Sequence, residues 1–93
     1  MVRTSELFDV AFWKCVAQDE SAWEIVDSFE TALKFDPYSL GEPLSAFKSG
    51  NILIYESPPV ARLPTIIVLY EIFAGEGVIK LWNIRMRPRR ISP

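Results

Sequence analysis

The stretch TIIVLYEIF, residues 65–73, constrains this chain more than any other. It holds one charge, Glu71, among β-branched, aliphatic and aromatic side chains, which is the composition of a strand at the centre of a sheet. It is far too short to span a bilayer. Four residues follow, AGEG, and then a second strand-like run, VIKLWNIRM. Two such runs separated by a short Gly-containing turn read as an antiparallel hairpin. A chain of 93 residues has room for one core, so everything else must pack around that hairpin. Upstream, NILIYE reads as a third strand, and the proline-broken SPPVARLP as an edge or connecting segment.

The front half supplies the cover. In SAWE, Ser21 and Glu24 have capping-box spacing. Ala22, Ile25 or Val26, Phe29, and Ala32 or Leu33 then recur at helical spacing, predicting an amphipathic helix over about 22–35 that stops at Asp36-Pro37. DPYSLGEPLSAFKSG reads as a loop with apolar anchors and one short helical turn. LFDVAFWKCV fits two periods: Phe8, Val10 and Phe12 alternate as in a strand, while Phe8, Phe12 and Cys15 share a helical face. The alternation favours a strand over about 7–15. The expected fold class is α+β: one domain, 1–93, with an antiparallel sheet built from an N-terminal strand and a C-terminal three-strand meander. One or two helices pack on it, and a basic tail begins near residue 86.

Composition closes many functional classes. There is no histidine, which removes Ser-His-Asp and Cys-His nucleophile systems and every His-based metal site. One cysteine, Cys15, makes neither an internal disulfide nor a thiolate zinc site. Beside Trp13 and Val16 it reads as a buried, inert thiol. The glycines are scattered, so no phosphate-binding loop is present. No cofactor and no metal are expected. MVRTSELFDV lacks the pattern of a secretory leader, so the expectation is a cytoplasmic protein without membrane attachment. A hydrophobic fraction of 49% in so short a chain points to apolar surface shared with a partner, and a homo-oligomer is expected.

Charge is sharply divided. Before Ala61 ten acids face four bases, net −6, and from Ala61 onward six bases face two acids, net +4. Four of those bases are Arg85, Arg87, Arg89 and Arg90, directly after the last strand. With Trp82, whose ring can stack on a base or on a partner side chain, they form the candidate nucleic-acid- or partner-binding element. The bland alternatives are a solvated tail for the arginines and a core position for Trp82. Strand alternation puts Arg85, Arg87 and Arg89 on one side, opposite Ile84 and Met86. For RNA cleavage, arginine supplies charge to a phosphorane but is a poor base. Glu56 and Glu71 are the carboxylates available as bases, though nothing in their spacing sets them beside the arginines.

The order of elements, together with DPYSLGEPL, IVLYEI, the Gly turn and IRMRPRR, resembles the RelE/ParE superfamily of bacterial toxin–antitoxin (plasmid stabilisation) modules. The likeness spans roughly residues 21–90. It implies a RelE/ParE-like sheet-and-helix fold and a toxin held by an antitoxin protein, acting on mRNA and the ribosome or on a cellular enzyme such as gyrase. Alternatively it implies a catalytically degenerate interaction module that keeps the fold. Departures are also present: the front segment looks too short for a strand and a full first helix, NILIYE lacks the lysines of the RNA-cleaving branch, and no tyrosine or histidine follows Arg89. Endoribonuclease activity is thus an open expectation, with Arg89, Arg62 and Glu71 as its candidate catalytic residues.

Overall fold

The computed structural model describes residues 1–44, 51–60 and 62–88. It is an α+β domain: β1 (Val2–Thr4), α1 (Glu6–Gln18), α2 (Ser21–Leu33), α3 (Pro37–Leu40), β2 (Glu42–Pro43), β3 (Ile52–Glu56), β4 (Thr65–Phe73) and β5 (Val78–Arg87), with a 3-10 turn, Ala74–Glu76, between the last two strands. The five strands form one sheet in the order β1-β5-β4-β3-β2. β4 and β5 are its centre, as TIIVLYEIF and VIKLWNIRM predict. The sheet is mixed rather than antiparallel, because β1 runs parallel to β5 with Val2 opposite Ile79.

The segment expected as a strand over 7–15 is helix α1. Ser5 decides its start: its Oγ accepts the Phe8 backbone N–H at 3.0 Å, which caps the helix. Phe8 and Cys15 are buried and Val10 is exposed, so the 3.6-residue period governs and the strand-like alternation is incidental. Burial pushes the Cys15 thiol above its ordinary value, consistent with an inert side chain. The N-terminal strand is instead the short β1.

The second helix is present, but Ser21 and Glu24 do not form the expected capping box. Asp19 takes that role at the α1–α2 turn: its Oδ1 accepts the Ser21 backbone N–H at 3.1 Å and the Ser21 hydroxyl at 2.7 Å. The α2 face made by Ala22, Val26, Phe29 and Leu33 is buried. Phe29 stacks on Tyr55 of β3, centroids 4.3 Å apart, and meets Tyr70 of β4 edge-on at 5.5 Å. From β4 the core takes Ile66, Val68, Tyr70 and Ile72, and from β5 it takes Ile79, Leu81 and Ile84. Both long helices therefore cover one face of the sheet.

The DPYSLGEPL stretch is fastened to this core through Tyr70. Its hydroxyl donates to the Pro37 carbonyl at 2.8 Å. Gly41 passes so close that an added Cβ would lie 2.7 Å from that hydroxyl and 2.9 Å from the Ile54 carbonyl oxygen. Only glycine permits this approach, and it seats β2 beside β3. Burial pushes the Tyr70 phenol up from 10.0 to about 12, partly offset by a backbone hydrogen bond from Gly41.

Two measurements test this anchor. Gly41→Ala should lower stability by about 1–3 kcal/mol in chemical denaturation, because both neighbours must move. In the unfolded chain Tyr70 ionises near its ordinary value, so the fold keeps a proton that the unfolded state loses. The neutral phenol's contribution is intact below pH 10 and is lost as pH rises toward about 12. Tyr70→Phe, measured by melting temperature against pH, should flatten that alkaline loss.

Candidate functional site

The sheet face away from the helices is not covered by any described element, and it carries the sequence-predicted site. Cross-strand register defines its rows. Arg3, Lys80, Glu71 and Ile52 lie side by side from β1 to β3. Asn83, Leu69, Ile54 and Glu42 form the next row, then Arg85, Ile67 and Glu56, and finally Arg87 opposite Thr65. The face is thus basic along β1 and β5, aliphatic along its middle, and acidic toward β2 and β3.

A bulge in β5 creates this arrangement. Leu69 pairs with Asn83 and Tyr70 with Leu81, which leaves Trp82 as the extra residue. Ile79 and Leu81 point into the core at odd positions, while Ile84 points there at an even one. Without the extra residue, strict alternation would carry Arg85 and Arg87 into the core. The bulge shifts the phase and turns both outward, where they are exposed. Ser5 secures it: its hydroxyl donates to the Trp82 carbonyl at 2.8 Å, and its backbone N–H donates to the Leu81 carbonyl at 3.0 Å. Asn83 Oδ1 accepts the Ile84 backbone N–H at 2.8 Å, so the irregular stretch keeps its polar backbone groups satisfied.

Trp82 is half-buried on the open face rather than in the core. Its Nε1–H donates to Glu71 Oε1 at 3.1 Å, and the Lys80 ammonium sits 4.3 Å from its ring centroid. Lys80, Trp82 and Glu71 are therefore one cluster, with the indole held by a carboxylate and covered by a cation. Farther along, Arg87 is ion-paired with Glu56 across β4. Arg85 makes no ion pair among the described residues.

The sequence-predicted residues thus divide. Arg85, Arg87 and Trp82 share one face with Glu71 and Glu56, a proximity that residue spacing did not reveal. Met86 and Arg87 belong to β5, so the strand continues past the expected start of the tail. Arg62 lies exposed in the β3–β4 connection, with a positive φ of 70°. Arg89 and Arg90 lie outside the described residues. Lys80 and Arg3 are members of the face that were not among the sequence-predicted site residues, although Lys80 is near Trp82 in sequence. The signal for Lys80 was the hairpin register, which sets it opposite Glu71, whereas Arg3 joins the row only through the parallel pairing of β1 with β5.

No protein-family model matches this chain, and no curated protein sequence matches it significantly. Among the described residues, no helix is long and apolar enough to cross a membrane.

Because Ser5 both caps α1 and holds the bulge, Ser5→Ala should cost roughly 1–3 kcal/mol, above a single exposed cap. Denaturant melts check the stability. The intrinsic fluorescence of Trp82 in a Trp13→Phe/Trp23→Phe background should shift as the bulge loosens.

Proposed function

We propose that this chain is the toxin-like component of a two-protein toxin–antitoxin pair of the RelE/ParE type, acting through the open sheet face and neutralised by a partner that covers it. One observation carries the reading: a sheet face that no described element covers presents Arg85 and Arg87 on the same side as Lys80 and a half-buried Trp82. Cations beside an aromatic suit either the phosphates and bases of RNA or the carboxylates and apolar side chains of a protein target. The helical pair α1–α2 adds support. The front segment, which looked too short for a first helix, contains one of 13 residues, so that departure from the family pattern falls away.

The same face bears on mechanism. RNA cleavage by a 2′-hydroxyl needs a proton acceptor and a cation for the phosphorane. Glu56 beside Arg87 is the pair whose chemistry fits those roles, while Glu71 is engaged by the Trp82 indole. The second reading, a catalytically degenerate interaction module, draws on the same pair, since an arginine already matched by a carboxylate is a weaker phosphate ligand than a free one.

Growth of cells expressing the chain, alone and with the protein encoded beside it, tests the proposal. Expression alone should arrest growth, and the neighbour should restore it. Arg85→Ala/Arg87→Ala should relieve the arrest without a change in fold, and binding to the isolated partner should weaken, by a margin that shrinks at high salt. Arrest with intact cellular RNA points to a protein target. Partner binding without arrest selects the degenerate module. Neither arrest nor partner binding ends both readings.

A further inference from the structure

A second surface lies on the opposite side of the molecule, on the outer face of the helical pair. Leu7, Val10 and Trp13 follow one another at three-residue spacing on the outside of α1 and are 61%, 57% and 55% exposed, and Trp23 of α2 is 50% exposed. Trp13 and Trp23 lie against each other with ring centroids 5.3 Å apart, and both rest on Phe12, at 5.2 and 5.7 Å. Single exposed apolar residues are ordinary on a protein surface, but contiguous ones of this size mark an interaction site. α1 buries Phe8 and Cys15 on its inner side, so it is apolar on two sides. That is the pattern of a helix covered on both.

We propose that this face is the contact between two copies of the chain, with their α1 helices packed antiparallel about Val10. Charge selects the occupant. Around the aromatic cluster the helical pair carries Glu6, Asp9, Asp19, Glu20, Glu24, Asp27 and Glu30 against Lys14 and Lys34. That excess of acid repels nucleic acid and anionic membrane surfaces. Spacing selects a second copy over other proteins. In an antiparallel pair centred on Val10, residues equally far before and after it lie at the same level. Leu7 of one copy is level with Trp13 of the other, and Glu6 is level with Lys14, twice by symmetry. The one base within α1 is thereby brought to its partner's acid at both ends of the apolar stripe. A two-fold contact must be self-complementary in this way. The proposal does not rest on the open sheet face and stands whether or not the chain is a toxin.

Sedimentation velocity on the full chain, over concentrations from about 1 to 200 μM, tests it. The wild-type chain should pass from monomer to dimer within that range. Val10→Glu puts a charge at the centre of the contact and should leave a monomer throughout. Because Val10 is exposed in the monomer, its melting temperature should stay near wild type at low concentration, where both are monomers. Glu6→Lys and Lys14→Glu should each weaken the dimer roughly three- to tenfold, since each sets like charges level with one another. The double exchange should recover most of the loss. A wild-type chain that is monomeric at every concentration overturns the proposal and leaves the patch to a different protein. A dimer that survives Val10→Glu places the contact elsewhere and overturns it as well. Single exchanges that the double exchange does not rescue overturn the antiparallel arrangement on which it depends.

Discussion

The open face depends on one irregularity, the extra residue in β5. β4 is regular: Ile66, Val68, Tyr70 and Ile72 are buried in strict alternation. β5 starts in phase with it, burying Ile79 and Leu81, and then would have to bury Asn83, Arg85 and Arg87. Guanidinium groups do not enter an apolar core without partners. Holding Trp82 outside the register resolves the conflict, and Ile84 takes the next core position. A bulge leaves backbone groups outside the ladder. The Ser5 hydroxyl fills that need at the Trp82 carbonyl while its lone pair caps α1. One hydroxyl therefore links β1, α1 and the central hairpin, and through them the orientation of two arginines.

This explains what the sequence disclosed and what it concealed. The β4–β5 hairpin, β3 and the α2 core stripe were legible because each follows a single period without interruption. α1 was not, because Phe8, Val10 and Phe12 alternate as in a strand while Phe8, Phe12 and Cys15 share a helical face. The tie is broken by a serine two positions before Leu7 whose capping role shows only once its hydroxyl is placed. β1 and β2 are three and two residues long, too short for any period to register. The bulge did leave a trace: apolar positions in VIKLWNIRM change from odd to even numbering between Leu81 and Ile84. Glu56 and Arg87 are distant in sequence and come together only through the register of three strands.

The molecule spends its apolar residues unevenly. A chain this short buries a limited core, yet leaves Leu7, Val10, Trp13 and Trp23 in solvent on one side and an aliphatic strip along the open sheet on the other. The two surfaces differ in charge. The helical side is acidic with one central lysine, while the sheet side is basic along β1 and β5. Opposite charge on opposite faces means that the two would favour ligands of different charge.

On the sheet face, the contacts now present are weak enough to be exchanged. The Arg87–Glu56 side chains are 61% and 57% exposed. Ion pairs in such surroundings contribute roughly 0–1 kcal/mol and are screened by salt. A carboxylate or phosphate brought to Arg87 would therefore displace Glu56 at little cost. At Arg85 no ion pair among the described residues would have to be displaced. Trp82 is different, because its indole N–H already has Glu71 and its ring already has Lys80. A ligand stacking there must move the ammonium or use the uncovered part of the ring. For the partner proposed above, the arginines would supply attraction with small reorganisation, and the Lys80–Trp82–Glu71 cluster would be the preformed part of the face. On the proposed reading, affinity on this face would follow how closely a partner spaces its anionic groups along Arg85 and Arg87 relative to an apolar group near Trp82.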